Sequence, residues 1–302
     1  MNVGRAVLFL LVFPGALYAV PAAWLMLWLE RKLAARAQGR IGPPFFQPFF
    51  DFVKLLAKRP VPRRALRGLV MTALPVLAVA SVLGALSLLP VFPRSRGFSG
   101  DLILLVALLE VPPLCAVLAG FASGSLYGEL GATREALLGV ASSLPFLTAL
   151  LAFAAAAHSL TLGAAALAAG WPVRVPALLA LALCLPVKLR VNPFSVANAE
   201  QEIYAGPTTE FDGARLALWE LAHGLEWVAL TGLWAALAVP PANVAWPLRA
   251  VAFVVVSFAL ALLVAAVAAG TARLKLTQAA RVYWQWGFGV ALVALVVAMV
   301  WS

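Results

Sequence analysis

Residues 30–67 read ERKLAARAQGRIGPPFFQPFFDFVKLLAKRPVPRRALR and lie between two long apolar runs. This stretch holds ten of the chain's 22 lysines and arginines, a Gly-Pro-Pro turn and a phenylalanine-rich segment. Basic connections between apolar runs face the cytoplasm in membrane proteins. The stretch therefore predicts both the orientation of a membrane protein and a place at which a partner docks.

The composition excludes a soluble fold. Of the 302 residues, 64% are hydrophobic and only 11% are charged, whereas a soluble domain carries about 25% charged residues. The net charge of +10 lies mostly in connections between apolar runs, which indicates orientation signals and contacts with anionic lipid rather than nucleic acid. Cys115 and Cys184 lie inside apolar runs and are predicted to be buried free thiols.

The apolar runs predict an all-α, polytopic helical bundle that forms a single membrane domain over residues 1–302. A helix needs about 20 predominantly apolar residues to cross a bilayer, and this length predicts eight spans. The predicted spans are Gly4–Leu29, Leu66–Pro90, Asp101–Ala122, Glu135–His158, Trp171–Lys188, Ala214–Ala238, Trp246–Gly270 and Trp284–Trp301. The first is too long for a signal-peptide core and is predicted to be a retained anchor. The alanine-rich piece Thr161–Gly170 is predicted to be a turn, with a short re-entrant helix as the alternative.

The basic residues predict the orientation of the bundle. Eight spans put 17 lysines and arginines on the side of residues 30–67 and five on the opposite side. By the positive-inside rule, both termini face outward, and the two long loops, residues 30–65 and 189–213, face the cytoplasm. The predicted location is a bacterial or archaeal cytoplasmic (inner) membrane.

The phenylalanine-rich part of the first loop predicts an amphipathic helix. Large apolar side chains recur at spacings of three and four between Phe45 and Leu56, with Gln47, Asp51 and Lys54 among them. This pattern is typical of a helix that lies in the membrane interface or against a partner protein. The periodicity alone leaves open a helix that lies on lipid without a specific function.

Glu110 lies inside the third predicted span and is followed by Pro112 and Pro113. A charged side chain at the centre of a membrane helix costs roughly 2.5–3.5 kcal/mol on insertion scales, so it normally faces protein or water. The two prolines remove backbone donors and can open the helix locally. These features predict a proton-relay site, with a structural hydrogen bond between helices as the alternative.

Glu220, His223 and Glu226 form a stripe near the start of the sixth predicted span. They are three residues apart and therefore lie on one helix face. Histidine titrates near neutral pH, and ionisable groups inside a membrane commonly mark proton relays. The stripe predicts a proton path, and the alternative is that Glu220 lies at the interface and pairs with Arg215.

The connection between the fifth and sixth predicted spans is acidic. It carries Glu200, Glu202, Glu210 and Asp212, and it faces the same side as the basic first loop. The prolines and aromatic residues among these charges predict a folded loop that packs on the first loop or receives a soluble partner. A solvated run of charges is the alternative.

The sequence shows no motif for catalysis, a cofactor or a metal. We find no phosphate-binding glycine loop, cysteine cluster motif, His-Glu zinc pattern or nucleophile elbow. We therefore expect no redox chemistry from this chain itself, and no catalytic, cofactor-binding or metal-binding residue in it.

Two segments resemble a known family. Residues 30–56, ERKLAARAQGRIGPPFFQPFFDFVKLL, and residues 192–218, NPFSVANAEQEIYAGPTTEFDGARLAL, are similar to the two signature regions of the NuoH-like family of complex I membrane proteins. This family includes the corresponding membrane component of group 4 NiFe hydrogenases, such as formate hydrogenlyase and the energy-converting hydrogenases. The resemblance extends through the eight-span layout and covers nearly the whole chain.

The resemblance implies a non-catalytic subunit that anchors a soluble electron-transfer arm and links electron transfer to ion movement. The residues that it implies for docking of the soluble arm are Arg31, Arg36, Arg40, Gly42, Pro43, Gln47, Pro48, Asp51 and Lys54. The residues that it implies for ion coupling are Glu110, Glu200, Glu202, Glu210, Glu220, His223 and Glu226. The assignments inside the membrane rest on span position rather than on a matched motif.

The implied partners are soluble hydrogenase-like large and small subunits, antiporter-like membrane subunits and the lipid bilayer. A NiFe centre and iron–sulfur clusters are expected in the partner subunits and not in this chain.

The spacing of the first signature favours the hydrogenase-type branch of the family. Residues 42–44 (Gly-Pro-Pro) are followed at once by residues 45–48 (Phe-Phe-Gln-Pro), whereas the quinone-using branch has a longer stretch there. That branch also tends to carry an acidic and then an aromatic residue where this chain has His223 and Gly224. A complex I-type quinone reductase subunit, forming part of a quinone chamber, is the alternative. A secondary transporter and a purely structural anchor are the alternatives outside the family's function. The sequence does not decide whether the moved ion is a proton or sodium.

Overall fold

The structure, a computed structural model, describes residues 10–59, 61, 65–91, 97–198, 200–203, 205–239 and 246–301. Within these residues the chain is helical and has no β-strand. The helices are α1 (Ala16–Ala37), α2 (Gln47–Ala57), α3 (Ala65–Leu88), α4 (Asp101–Ser123), α5 (Leu126–Ala157), α6 (Leu162–Ala168), α7 (Trp171–Lys188), α8 (Glu200–Ile203), α9 (Gly213–Ala238), α10 (Trp246–Gly270), α11 (Leu276–Val282) and α12 (Phe288–Trp301). A 3-10 turn, Gly206–Thr208, precedes α9, and a π-helical turn, Tyr283–Gly287, joins α11 to α12.

Among the described residues, seven helices are long and apolar enough to cross a membrane, which confirms the predicted all-α polytopic bundle. They are Arg67–Leu88, Asp101–Ser123, Leu126–Ala157, Trp171–Lys188, Gly213–Ala238, Pro247–Gly270 and Leu276–Trp301. The first predicted span, Gly4–Leu29, corresponds in part to α1, which begins at Ala16 and continues to Ala37, inside the predicted loop. Residues 4–9 of that predicted span, with Arg5, lie outside the described residues.

Three helical segments differ from the predicted boundaries. α5 begins at Leu126 instead of Glu135, and α11 already begins at Leu276, ahead of the predicted span at Trp284. Polar residues lower the hydropathy in both places, so the predicted spans begin too late. The helices continue there because polar side chains leave the backbone hydrogen bonds intact. The segment Thr161–Gly170 contains the short helix α6, so the predicted turn is wrong there.

α9 is the central helix of the bundle. It contacts α1, α3, α7 and α10, and 78% of its most apolar stretch is buried, against 22% for Leu276–Trp301. A Cβ atom added to Gly224 would lie 3.0 Å from the Cβ of Ala23, and one added to Gly232 would lie 2.9 Å from the Phe253 ring. Membrane helices rely on such small residues for close packing, because lipid provides no hydrophobic force between helices.

The first long loop folds back onto α1. Gly39, with a φ of 72°, lies just beyond the end of α1 in the left-handed conformation that favours glycine. The Pro43 carbonyl then accepts hydrogen bonds from the Trp28 indole at 3.3 Å and from the Lys32 ammonium at 3.4 Å. These contacts bring the chain back beside α1 before α2 begins.

The predicted amphipathic helix is present as α2. Its inner face packs on α1, where the Trp24 ring contacts the rings of Phe49 and Phe52 at centroid distances of 5.2 and 5.8 Å. Its other face leaves Phe50 and Val53 exposed. An exposed apolar face on a membrane protein indicates contact with lipid or with a partner.

The second long loop, between α7 and α9, is also folded. Asp212 accepts a hydrogen bond from the Val61 backbone at 2.6 Å, so the two long loops meet at one end of the bundle, which we call the loop end. A Cβ atom added to Gly131 of α5 would lie 2.6 Å from Pro207 and 2.7 Å from Gly206. The backbone of α5 therefore touches the backbone of the loop directly.

At the end opposite the loop end, two arginines of the predicted outward side are buried. Arg174 is 4% exposed and donates a hydrogen bond to the Ala166 carbonyl at 2.7 Å. Arg249 is 2% exposed and donates to the Pro90 carbonyl. Both satisfy carbonyls at helix ends, and they act as structural contacts rather than as water-facing charges. Arg94 and Arg96 lie outside the described residues.

We expect the Gly131→Ala substitution to lower the stability of the folded protein by about 1–3 kcal/mol, the usual cost of overpacking. The added methyl group would meet the backbone at Gly206 and Pro207 with no flexible side chain to give way. Gly139→Ala on the same helix is the matched control, since a Cβ there meets nothing within 4 Å. Thermal denaturation in detergent tests this expectation, and equal midpoints for the two variants would contradict the close contact.

Candidate functional site

Arg190 lies just beyond the C-terminal end of α7, where the backbone turns. Its φ of 54° is left-handed, a conformation that arginine rarely adopts and that glycine usually fills at this position. The Arg190 N–H donates to the Val187 carbonyl and the Val191 N–H to the Pro186 carbonyl, both at 2.9 Å, which closes the helix end. The turn directs the Arg190 side chain back into the bundle.

The Arg190 guanidinium lies between two buried carboxylates. Its Nε donates to Glu135 of α5 at 2.8 Å, and its terminal nitrogens donate to the two oxygens of Glu226 of α9 at 3.0 and 3.3 Å. The Nδ1 atom of His223 is 3.5 Å from the guanidinium and 3.6 Å from Glu226. The side chains of Arg190, Glu135 and Glu226 are 10%, 11% and 5% exposed. We call these four residues the Arg190 cluster.

The Arg190 cluster holds a permanent positive charge away from water. Burial by itself lowers the pKa of Arg190, but the charges of Glu226 and Glu135 outweigh burial and raise that pKa above its ordinary value. A buried ion pair adds little net stability, yet the loss of one partner leaves an uncompensated charge and is strongly destabilising. The arrangement therefore fixes how α5, α7 and α9 meet.

A second group of charges lies two residues earlier on the chain. Lys188 pairs with Glu110 of α4, and Ser143 of α5 lies 3.0 Å from the Lys188 ammonium and donates to Glu110 at 3.1 Å. The ammonium also lies 5.3 Å from the ring centre of Phe146, a favourable cation–π distance. We call Lys188, Glu110 and Ser143 the Lys188 cluster.

One small cavity connects the two clusters. It has a volume of about 20 Å³ and is lined by Glu135, Glu226 and Arg190 of the Arg190 cluster and by Lys188 of the other. Three carboxylates and two fixed cations therefore lie along a lateral row from α4 to α9. Such rows of ionisable groups inside a membrane protein are typical of proton relays.

The sequence-predicted stripe of α9 is divided between two places. His223 and Glu226 belong to the Arg190 cluster, whereas Glu220 is exposed and lies 3.9 Å from Arg31 of α1. Arg31 also pairs with Asp51 at 3.3 Å, and Gln47 donates to Asp51 at 2.7 Å. A cleft of about 270 Å³ between α1, α2 and α9 is lined by Arg31, Asp51 and Glu220. Glu220 thus faces the predicted docking residues rather than the buried charges, and it pairs with Arg31 and not with Arg215.

The other predicted docking residues lie at the loop end around this cleft. Pro48, which is buried, and Lys54 line the cleft itself. Arg36 and Arg40 are exposed, and Gly42 packs on α1 in a left-handed conformation with a φ of 74°. Together with Pro43, which accepts the hydrogen bonds from α1, they form one contiguous segment.

The acidic residues of the second loop differ in their exposure, and Glu202 is the exposed one among those described. Glu202 pairs with Arg134 of α5 at 2.6 Å and lies 3.6 Å from Arg273. The Arg134 hydrogen bond lowers the pKa of Glu202, so this carboxylate is charged at neutral pH. Glu210 is half-buried in the turn before α9. The side chain of Glu200 lies outside the described part of the structure.

The part of the chain that the structure describes contains no group of three or more histidine, cysteine, aspartate and glutamate side chains arranged to hold a metal ion. The two cysteines, Cys115 and Cys184, are buried and free, as expected.

Comparison with known proteins shows the family. The family model described as NADH dehydrogenase matches residues 8–299. The chain belongs to this family. It is 34% identical over 219 residues to Hydrogenase-4 component C from Escherichia coli (strain K12), a match that covers 70% of this chain and 69% of that protein. It is also similar to a chain in the structure of the membrane-bound sulfane sulfur reductase, an archaeal respiratory membrane complex. That match has a TM-score of 0.84 and 28% identity and covers 97% of this chain and 98% of the other.

In this member of the NADH dehydrogenase family, sequence reasoning misses Ser143 and three charged residues of the two clusters. Lys188 and Arg190 follow a predicted span and serve there only as orientation signals, and Glu135 stands at the predicted start of a span beside Arg134. Glu135 is in fact well inside α5, which begins at Leu126. Glu135 could have been identified as a site residue from its position on the third turn of a long apolar helix, because a carboxylate there needs a charged or hydrogen-bonding partner.

We expect Arg190→Gly to destabilise the protein by about 3–5 kcal/mol, the cost of leaving a buried charge without its partner. Glycine relieves the left-handed backbone, so a loss of stability reports the missing guanidinium and not backbone strain. Arg31→Met is the control, because methionine keeps the helix and removes only the charge. The ion pairs of Arg31 are about half exposed, so their loss should cost no more than about 1 kcal/mol.

Thermal denaturation of the detergent-solubilised protein measures both effects. A triple variant, Arg190→Gly with Glu135→Gln and Glu226→Gln, should recover part of the loss because it removes the unpaired charges. Comparable stability of Arg190→Gly and the unsubstituted protein would show that the cluster does not constrain the fold.

Proposed function

We propose that this chain is the membrane-anchoring and ion-coupling subunit of a group 4 NiFe hydrogenase-type respiratory complex. In this role it docks a soluble electron-transfer arm at the loop end and links electron transfer to ion movement across the membrane. The chemistry of electron transfer belongs to partner subunits, which hold the NiFe centre and the iron–sulfur clusters.

The observation that carries the proposal is the position of the two charge clusters directly beneath the second loop. Arg190 lies two residues beyond the end of α7, at the start of that loop, and its guanidinium contacts carboxylates on α5 and α9. A displacement of the loop by a docked arm would therefore move a buried charge. Moving a charge between carboxylates changes their affinity for protons, which is the physical basis of coupling.

The surface of the loop end supports the docking role. Arg36 and Arg40 are exposed there, and Glu202 is an exposed carboxylate held by Arg134. Mixed charges on folded loops suit a stable polar interface, in which buried hydrogen-bonded charge pairs fix the orientation of the partner. The predicted orientation, with both termini outward and this end in the cytoplasm, is part of the proposal.

A second candidate, a complex I-type quinone reductase subunit, is favoured by one observation. An apolar groove of about 620 Å³ lies between α1 and α2 and is lined by Tyr18, Trp24, Phe45, Phe46 and Phe49. A quinone tail would fit such a groove. The two candidates differ in the metal content of the complex, since only the hydrogenase-type complex contains nickel.

The intact complex, purified through a tag on this chain, distinguishes the two candidates. We expect nickel and a soluble hydrogenase-like large subunit to copurify. Stoichiometric bound quinone together with a nickel-free large subunit would instead favour the second candidate. Copurification of no soluble redox subunit would contradict both.

We expect Glu226→Gln and Glu110→Gln to reduce the number of ions moved per electron in vesicles that contain the intact complex. Each substitution removes one carboxylate from the row of charges and keeps the shape of the side chain. Glu129→Gln is the control, because Glu129 is exposed near the start of α5, away from the clusters. Unchanged ion movement and unchanged electron transfer in both cluster variants would favour a purely structural anchor.

A further inference from the structure

A polar cavity at the loop end leads to Arg190. It has a volume of about 490 Å³ and is lined by the ends of α1 and α10 and by the start of the second loop. The exposed residues Gln38 and Thr271 lie at its rim, so it opens to the surface. Glu30 and Arg190 lie deeper in its wall. We call this cavity the vestibule.

The small cavity between the two clusters, which we call the inner cavity, is of the size of one water molecule. Its volume of about 20 Å³ exceeds the roughly 10–15 Å³ that a single buried water requires. Glu135, Glu226 and Lys188 in its wall offer the polar partners that such a water needs. The rest of the wall is mainly apolar, and Ser142, which also lines it, is fully buried.

The vestibule and the inner cavity share one lining residue, and that residue is Arg190. The guanidinium is held across the passage by its bonds to Glu135 and Glu226. It closes the passage by its volume, and its fixed positive charge opposes the arrival of another cation. Within the described residues, Arg190 is therefore the side chain that separates the vestibule from the carboxylates of the inner cavity.

We propose that Arg190 is a gate between the vestibule and a one-water site in the inner cavity, and that the ion admitted there is a proton rather than sodium. This inference deepens the proposed function and rests on it for its biological role. A sodium ion would have to lie against the Lys188 ammonium in a space for one water. A proton needs no additional space, because it can pass along water to a carboxylate that Arg190 has released.

Glu30 provides the second position that such a gate requires. It is half-buried in the wall of the vestibule, and its carboxylate interacts electrostatically with His223 of the Arg190 cluster and with Arg31. Arg190 can thus exchange its partners in the bundle for Glu30 without losing a carboxylate altogether. Two discrete arrangements of one charged side chain are the physical form that a coupling element takes.

Cysteine labelling tests the gate without requiring turnover. In the intact complex with Cys115→Ala and Cys184→Ala, Ser142→Cys places a thiol in the inner cavity, and Ser195→Cys places one in the vestibule. The probe is a small, water-soluble methanethiosulfonate reagent added to membranes. We expect Ser195→Cys to react rapidly and Ser142→Cys to react at least about tenfold more slowly, as a barrier higher by about 1.4 kcal/mol produces.

Adding Arg190→Gly should speed the labelling of Ser142→Cys by at least about tenfold and leave that of Ser195→Cys unchanged. Glu226→Gln, which keeps Arg190 but weakens its hold, should also speed labelling, and Glu30→Gln added to it should reverse the gain. Rapid labelling of Ser142→Cys with Arg190 intact, or slow labelling after both Arg190→Gly and Glu226→Gln, would overturn the gate. If adding Glu30→Gln to Glu226→Gln leaves the labelling of Ser142→Cys fast, Glu30 is not the second position of the Arg190 side chain.

These outcomes are separate from the test of the proposed function. A complex that contains no nickel or moves no ions could still show the gate, and a hydrogenase-type complex could lack it. For the ion, replacing sodium by potassium in the assay buffer should leave ion movement unchanged, and a strict requirement for sodium would contradict a proton.

Discussion

The buried contact of one guanidinium with two carboxylates is the constraint on which the rest of this structure depends. Arg190 comes from the end of α7, Glu135 from α5 and Glu226 from α9. None of the three charges can remain in an apolar bundle without the others. The three helices must therefore meet at one depth, and the chain after α7 must turn sharply enough to send Arg190 inward. The left-handed backbone at Arg190 is the local consequence of that requirement.

The contact also explains why the two long loops are folded rather than solvated. The second loop begins at Arg190 and then packs on α5 at Gly131 and on the first loop through Asp212. The first loop is tied to α1 through Pro43. The loop end is thus one connected surface whose inner boundary is a buried charge.

The sequence predicts the features that follow from local pattern. The fold class follows from apolar runs, α2 from the three- and four-residue spacing of its phenylalanines, and the folded second loop from its prolines and aromatic residues. It does not predict which charges meet, because the partners of Arg190 lie 55 and 36 residues away and those of Lys188 lie 78 and 45 residues away. Glu220 is separated from His223 and Glu226 because it is exposed and its ion-pair partner is Arg31 of α1. The predicted helix ends are wrong where the first turns of a helix are polar. For this reason the sequence places Glu135 at the start of a span, although it lies well inside α5.

The proposed function assigns the coupling of electron transfer to ion movement to the buried charges of the Arg190 cluster. Glu135 tests it most directly, because this residue lies inside the cluster and away from the docking surface. The measurement is the number of protons moved per electron by the intact complex in proteoliposomes, with Glu135→Asp compared with Glu135→Gln. We expect aspartate to retain a substantial part of the ratio, and glutamine to lower it sharply while electron transfer continues. An unchanged ratio with glutamine would contradict the claim.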